Sequence, residues 1–166
     1  MRAIRAGAGT GLVNMNLELR LPPVVVVAIA ALLMLALDRA FPGLAFSWPP
    51  AKLAAGVVGS VGVLTAALGV LAFRRSGTTV DPRYPEKAAQ LVTAGIYRFT
   101  RNPMYLGMAL ALAGGALLLG NWLCFVVLPL FMAYLSRFQI RVEERHMDAL
   151  FGDAFTRYRA RVRRWL

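Results

Sequence analysis

Between Asn102 and Ser136 the chain carries no charged side chain, and that run decides most of what the protein can be. As one helix it would be on the order of 50 Å long at about 1.5 Å per residue, too long for a single crossing of a hydrocarbon core roughly 30 Å thick. The run must be broken, and Gly114-Gly115 and above all Gly120-Asn121 are the residues that break it. The spacing predicts two tightly linked helices, about residues 103–119 and 122–136, forming a hairpin whose two ends return to one membrane face.

Two more charge-free runs precede it, about 21–37 and 53–73. Pro22-Pro23 opens the first and suits the initial turn of a helix. A cleaved signal peptide is the competing reading of that run, but it is late and long and further spans follow. Between the two runs, Pro42, Gly43, Pro49 and Pro50 break helices while Phe41, Phe46 and Trp48 suit interface depth. This reads as a short external loop. In the second run Gly59 and Gly62 fall on nearly one face and would permit close helix contact. Arg74-Arg75 then fix its end on the cytoplasmic side by charge bias.

The expectation is therefore an all-α integral membrane protein, one membrane domain over residues 1–166, with about four transmembrane helices and both termini cytoplasmic. A bacterial inner membrane is the expected location. Composition agrees: 58% of residues are hydrophobic and 16% charged, which is not the balance of a water-soluble enzyme. The net charge of +11 sits in short segments flanking apolar runs. Topology and anionic lipid headgroups account for it there, and nucleic acid is not an expected partner.

The amino-terminal segment, with Arg2, Arg5, Arg20 and Gly7-Ala8-Gly9-Thr10-Gly11, lacks the flanking strand and the glycine spacing of a phosphate-cradling loop and reads as an arm. Ser76 to Gln90 is polar and should lie over the cytoplasmic face. After Arg137 apolar and charged residues interleave, so a helix leaves the membrane, is interrupted near Gly152, and ends in a basic amphipathic tail from Arg157 to Trp165 suited to lipid headgroups. Cys124 is the only cysteine and excludes an intrachain disulfide. His146, the only histidine, has no partner at zinc spacing, so no metal is expected.

Candidate chemistry lies at the hairpin's two ends. Pro103 starts a helix and holds Asn102 extended, with Arg101 and Tyr105 on either side. Free amides at that helix start favour an anionic group such as a ligand carboxylate. Glu143 and Glu144 point about 100° apart on a helix, so one can face the bundle while the other faces solvent or Arg145. An inward carboxylate needs a cation, either a ligand ammonium or an arginine. Taken singly, such arginines are most often topology signals and such glutamates a solvated face; their joint placement at one membrane face is what suggests a site.

The order Leu91-Val92-Thr93-x-Gly95-x-Tyr97, Arg101-Asn102-Pro103-x-Tyr105-x-Gly107, an apolar hairpin, Glu143-Glu144 and Phe151-Gly152-x-x-Phe155-x-x-Tyr158 resembles the isoprenylcysteine carboxyl methyltransferase and phospholipid methyltransferase superfamily. The resemblance covers roughly the carboxyl-terminal half. It implies an S-adenosylmethionine-dependent membrane methyltransferase without a Rossmann domain, its cofactor-binding region within residues 90–166. By the resemblance, Gln90, Leu91 and Val92 would contact the adenosine and Tyr97 would wall the pocket. Asn102, Pro103, Met104 and Tyr105 would hold the cofactor at the helix start, and Glu143 would bind its ammonium. Arg101, Tyr105 and Glu144 are the candidates for the reaction itself, with Glu144 nominated as base for an amine acceptor. The eukaryotic carboxyl methyltransferases have histidine in place of Asn102. They have arginine in place of Gln139, so Arg137 or Arg141 is expected to take that substrate role.

The expected acceptor is a lipophilic, membrane-associated substrate with a carboxylate, thiol or amine, entering from the bilayer. Two rival readings are an NADPH-dependent membrane reductase of the sterol-reductase type and a non-enzymatic scaffold or transporter. Periodicity leaves open whether a homodimer closes the lateral face.

Overall fold

The computed structural model describes residues 21–76 and 91–166. The amino-terminal arm and residues 77–90, Gln90 among them, lie outside the described residues. All regular structure in the described residues is helical: α1 (Pro23–Ala40), α2 (Ala51–Arg75), α3 (Pro103–Leu119), α4 (Trp122–Leu135), α5 (Arg141–Phe151) and α6 (Asp153–Arg161). α1 and α2 are each long and apolar enough to cross a membrane. So is the continuous 30-residue helix Trp122–Phe151, in which one π turn (Ser136–Ile140) joins α4 to α5. α3 is a shorter apolar helix of 17 residues. The spans α1 and α2 run two to three residues beyond the charge-free cores read from sequence, taking in Asp38, Arg39, Lys52, Arg74 and Arg75 at their ends.

The hairpin turns at the expected place. Gly120 ends α3 with φ +65°, a left-handed conformation that a side chain would strain. Asn121 then caps α4 by accepting the Leu123 amide at 3.0 Å, while its own amide donates to the Phe41 carbonyl at 3.0 Å. Fully buried, Asn121 thus ties the α1–α2 connection to the hairpin tip. The Phe46 amide adds a 2.7 Å bond to the Gly120 carbonyl, and the Phe46 ring packs 4.7 Å from Trp122.

α3 is the central helix because its two faces differ in side-chain size. One face meets α2 through small residues: a Cβ added at Gly107 would lie 2.5 Å from the Gly62 carbonyl oxygen, and one at Gly114 would lie 2.9 Å from the Gly59 amide. Backbones this close gain dispersion contacts that larger side chains would forbid. The other face buries Tyr105, Ala109, Leu112 and Ala116 against Val26, Ala30 and Met34 of α1 and Cys124, Val127, Phe131 and Leu135 of α4. The Cys124 thiol, fully buried, faces the Met34 carbonyl at 3.5 Å. Outward residues of α1 and α2 such as Leu32, Leu53, Val63 and Leu64 are exposed and apolar, as a lipid-facing surface requires.

Candidate functional site

Both ends of the hairpin do meet at one mouth. Pro103 packs its ring near Gly69 of α2, with Met104 beside it, and this seats the start of α3 against the end of α2. From there Tyr105 reaches across to α5, where its hydroxyl donates a short hydrogen bond to Glu143. Tyr97 lies just above, on a single 3-10 turn (Gly95–Arg98), buried with its ring edge-on to Phe73 at 5.3 Å. Burial pushes the Tyr97 phenol well above its ordinary range, with Tyr158 and then Glu143 adding to the shift, so it stays a neutral donor. Its hydroxyl has no partner among the described residues.

Glu143 and Glu144 divide as their angular separation predicts, but solvent is not where the second one goes. Glu144 pairs with Arg101 at 3.0 Å and with Arg164 through contacts of 2.5 and 3.1 Å. Burial lowers the Arg101 pKa from its ordinary value; Glu144 opposes this and Arg164 adds to it. The guanidinium remains charged at any physiological pH. Two of its nitrogens, Nε and Nη1, are buried without a partner among the described residues. Glu143, in contrast, has the Tyr105 hydroxyl and no cation beside it among the described residues.

The carboxyl-terminal tail forms the third side of the mouth, a role its basic composition did not reveal. The Arg163 carbonyl accepts the Arg101 amide at 3.0 Å, and the Arg164 carbonyl accepts the Asn102 side-chain amide at 3.0 Å and the Thr100 hydroxyl at 3.3 Å. Trp165 donates to Ser136 at 3.2 Å. Tyr158 donates to the Tyr97 carbonyl at 2.7 Å, and burial holds its own phenol up at about 12. Asn102, read from sequence as a cofactor contact, therefore spends its amide on the tail. Thr100, Ser136, Arg164 and Trp165 are the participants that sequence reasoning passed over. A lone tryptophan closing a run of arginines was the available signal.

The remaining candidates lie around this centre. Leu91 and Val92 are half-buried at the start of the described second segment. Arg137 and Arg141 are exposed, Arg137 lying 5.6 Å over the Phe138 ring, and neither pairs with Glu143. Gln139 is buried instead, its amide donating to the Leu21 carbonyl at 2.7 Å and its oxygen unpartnered among the described residues. His146 bonds the Val142 carbonyl at 2.8 Å.

An α-helical bundle with membrane-length apolar helices, and a cluster of buried polar and charged side chains at one end of an apolar hairpin, defines an integral membrane protein. The sequence model of the phospholipid methyltransferase family matches residues 51–154, and the chain belongs to that family. It is 41% identical over 63 residues to an uncharacterized protein of Haemophilus influenzae, a match covering 38% of this chain and all of the relative. It is 35% identical over 72 residues to the protein-S-isoprenylcysteine O-methyltransferase of Schizosaccharomyces pombe, covering 43% of this chain and 30% of that enzyme's length. Family membership places the chain among membrane methyltransferases of the phospholipid and isoprenylcysteine type.

Proposed function

We propose that the protein transfers a methyl group from S-adenosylmethionine to a lipophilic, membrane-associated acceptor, at a site on the cytoplasmic side of a bacterial inner membrane. The observation that carries this reading is the pair of open valences at the mouth. Among the described residues Glu143 has no cation beside it, and two buried nitrogens of Arg101 have no acceptor. The two are linked through Glu144, which is bonded to Arg101 and adjoins Glu143 in the chain. A free α-amino acid end presents one ammonium and one carboxylate, and these two valences complement it in number and sign. Glu143 would hold the ammonium and Arg101 the carboxylate. Tyr97 and Met104 would wall the pocket, and Leu91, Val92 and the preceding Gln90 would lie along the adenosine.

When bound, the cofactor supplies a methyl group on a positively charged sulfur. The chain's part is to place and enclose. Tyr105 holds Glu143 in one rotamer through its hydroxyl, and the tail from Arg163 to Trp165 closes the mouth from above. Holding two reactants in near-attack geometry can account for several kcal/mol of barrier lowering. Glu144 is committed as counter-ion to two guanidinium groups. That commitment argues against its use as a base and favours an acceptor that is already anionic, a carboxylate or a thiolate, for which none is needed.

Equilibrium binding of S-adenosylmethionine to the purified chain in detergent tests the reading. Saturation below millimolar cofactor, without competition from NADPH, is expected. No binding at millimolar cofactor, or displacement by NADPH, refutes it.

A further inference from the structure

Away from the Tyr105–Glu143 centre, the 3-10 turn and α6 enclose a second cleft of about 590 Å³. Thr93 and Arg98 line one wall; Ala154, Arg157, Tyr158 and Arg161 line the other. The α6 residues follow the i, i+3, i+4, i+7 spacing of one helix face, so Arg157 and Arg161 point the same way. Arg98, Arg157 and Arg161 have neither an ion pair nor a side-chain hydrogen bond among the described residues, and no described carboxylate lines the cleft. Asp148 is paired with Arg159 at 3.1 Å and Glu144 with Arg101 and Arg164, and Asp153, in the first turn of α6, does not line the cleft.

Like charges at i and i+4 repel and destabilise a helix by a few tenths of a kcal/mol. A third guanidinium from the facing turn adds to that repulsion. Arg159 on the same helix is paired with Asp148, whereas these three converge on one concavity with no partner among the described residues, so the concavity is matched by charge to an anion. A volume of this size holds a ligand larger than a bare ion. S-adenosylmethionine does not suit it, since that molecule carries net positive charge. Planar guanidinium forks match phosphate oxygens two at a time, and the Thr93 hydroxyl adds a neutral donor. The wall is firm because the Tyr158 hydroxyl is fastened to the Tyr97 carbonyl at 2.7 Å. Phe99, next to Arg98 in the chain, is an apolar ring left 70% exposed.

We propose that this cleft is a binding site for a phosphate ester, held by Arg98, Arg157 and Arg161 beside the cofactor mouth and separate from it. The phosphate can belong to a lipid headgroup or to a soluble phosphate ester, and the test distinguishes them. The full chain in zwitterionic detergent is titrated with inorganic pyrophosphate in one arm and with micelles doped with phosphatidic acid in the other. Saturable binding in at least one arm is expected. It should weaken by roughly tenfold or more in the double variant Arg157→Gln/Arg161→Gln, the loss of two charge-assisted contacts. It should be preserved in Arg74→Gln/Arg75→Gln, which removes the same charge at the end of α2. Saturation by pyrophosphate assigns a soluble ester; saturation by phosphatidic acid alone assigns a lipid. Arg98→Gln, from the opposite wall, gives the same weakening without touching α6. No saturable binding in either arm, or equal weakening in both double variants, overturns the proposal. S-adenosylmethionine binding by the same variants reports separately on the cofactor mouth.

Discussion

Glu143 and Glu144 are neighbours in sequence with different partners, so glutamine at each separates binding from folding. In Glu144→Gln the ion pairs to Arg101 and Arg164 are lost together. Their costs are unequal, because the Arg101 side chain is 10% exposed and that of Arg164 32%. Arg164 can rehydrate, whereas Arg101 is left as a guanidinium nearly shut off from water. Removing one partner of a buried pair costs about 3–5 kcal/mol and of an exposed pair under about 1 kcal/mol. The glutamine oxygen still accepts one hydrogen bond, so a loss of about 2–3 kcal/mol in unfolding free energy is expected. In Glu143→Gln the Tyr105 hydroxyl keeps an oxygen to donate to, and stability should change by less than about 1 kcal/mol. What disappears is the negative charge proposed to face the cofactor's ammonium, about 1.5–3 kcal/mol, or roughly ten- to a hundredfold in Kd. Denaturant unfolding followed by tryptophan fluorescence and calorimetric titration with S-adenosylmethionine measure the two effects in one detergent. Wild-type stability of Glu144→Gln, or wild-type cofactor affinity of Glu143→Gln, would refute this division of labour.

Other perturbations test the frame. Gly107→Ala should destabilise by about 1–3 kcal/mol, because its Cβ would sit 2.6 Å from the Ala66 amide and 2.5 Å from the Gly62 oxygen. Gly115→Ala, with nothing within 4 Å, should be neutral in the same unfolding assay. Asn121→Ala removes a helix cap and one of the two donors to the Phe41 carbonyl, which keeps the Leu44 amide at 3.1 Å, a cost of about 1–2 kcal/mol seen as a lower unfolding midpoint. Trp165→Ala should loosen the tail from Ser136, read as faster hydrogen exchange at the Arg101 amide, whose acceptor is the Arg163 carbonyl. Single cysteines in place of Arg98 and Arg145 should be labelled from the same side of the bilayer by a membrane-impermeant reagent; labelling from opposite sides would remove the shared mouth.

What the sequence disclosed and what it hid follow from the range of the forces involved. The hairpin was legible because absence of charge and a Gly-Asn break are local signals, and a bilayer allows few answers to them. Glu143 and Tyr105 were legible as one site because a hairpin returns its ends to the same face. The partners of Glu144 were not, since Arg164 lies twenty residues away in a tail whose arginines look like any membrane-surface run. The tail contact of Asn102 was hidden for a related reason: its donor meets a backbone carbonyl, and carbonyls carry no sequence signature. The bulge that buries Gln139 and exposes Arg137 was equally invisible, because a π turn shifts the helix face without changing a residue.

On the proposed function, the tail would also make the mouth selective. A helix start in a membrane leaves amide and side-chain donors that must each find an acceptor. Carbonyls of Arg163 and Arg164 take those of Thr100, Arg101 and Asn102, and Glu144 takes one edge of the Arg101 guanidinium. After that, the ionic valences still open at the mouth among the described residues are the far nitrogens of Arg101 and the carboxylate of Glu143. A ligand bearing only one sign of charge would satisfy one and leave the other buried and unmet, at a cost of several kcal/mol. On the proposed function, discrimination would come from the tail as much as from the groups facing the ligand, because it takes up the donors of Thr100, Arg101 and Asn102 and leaves the Tyr97 hydroxyl as the neutral donor still open among the described residues.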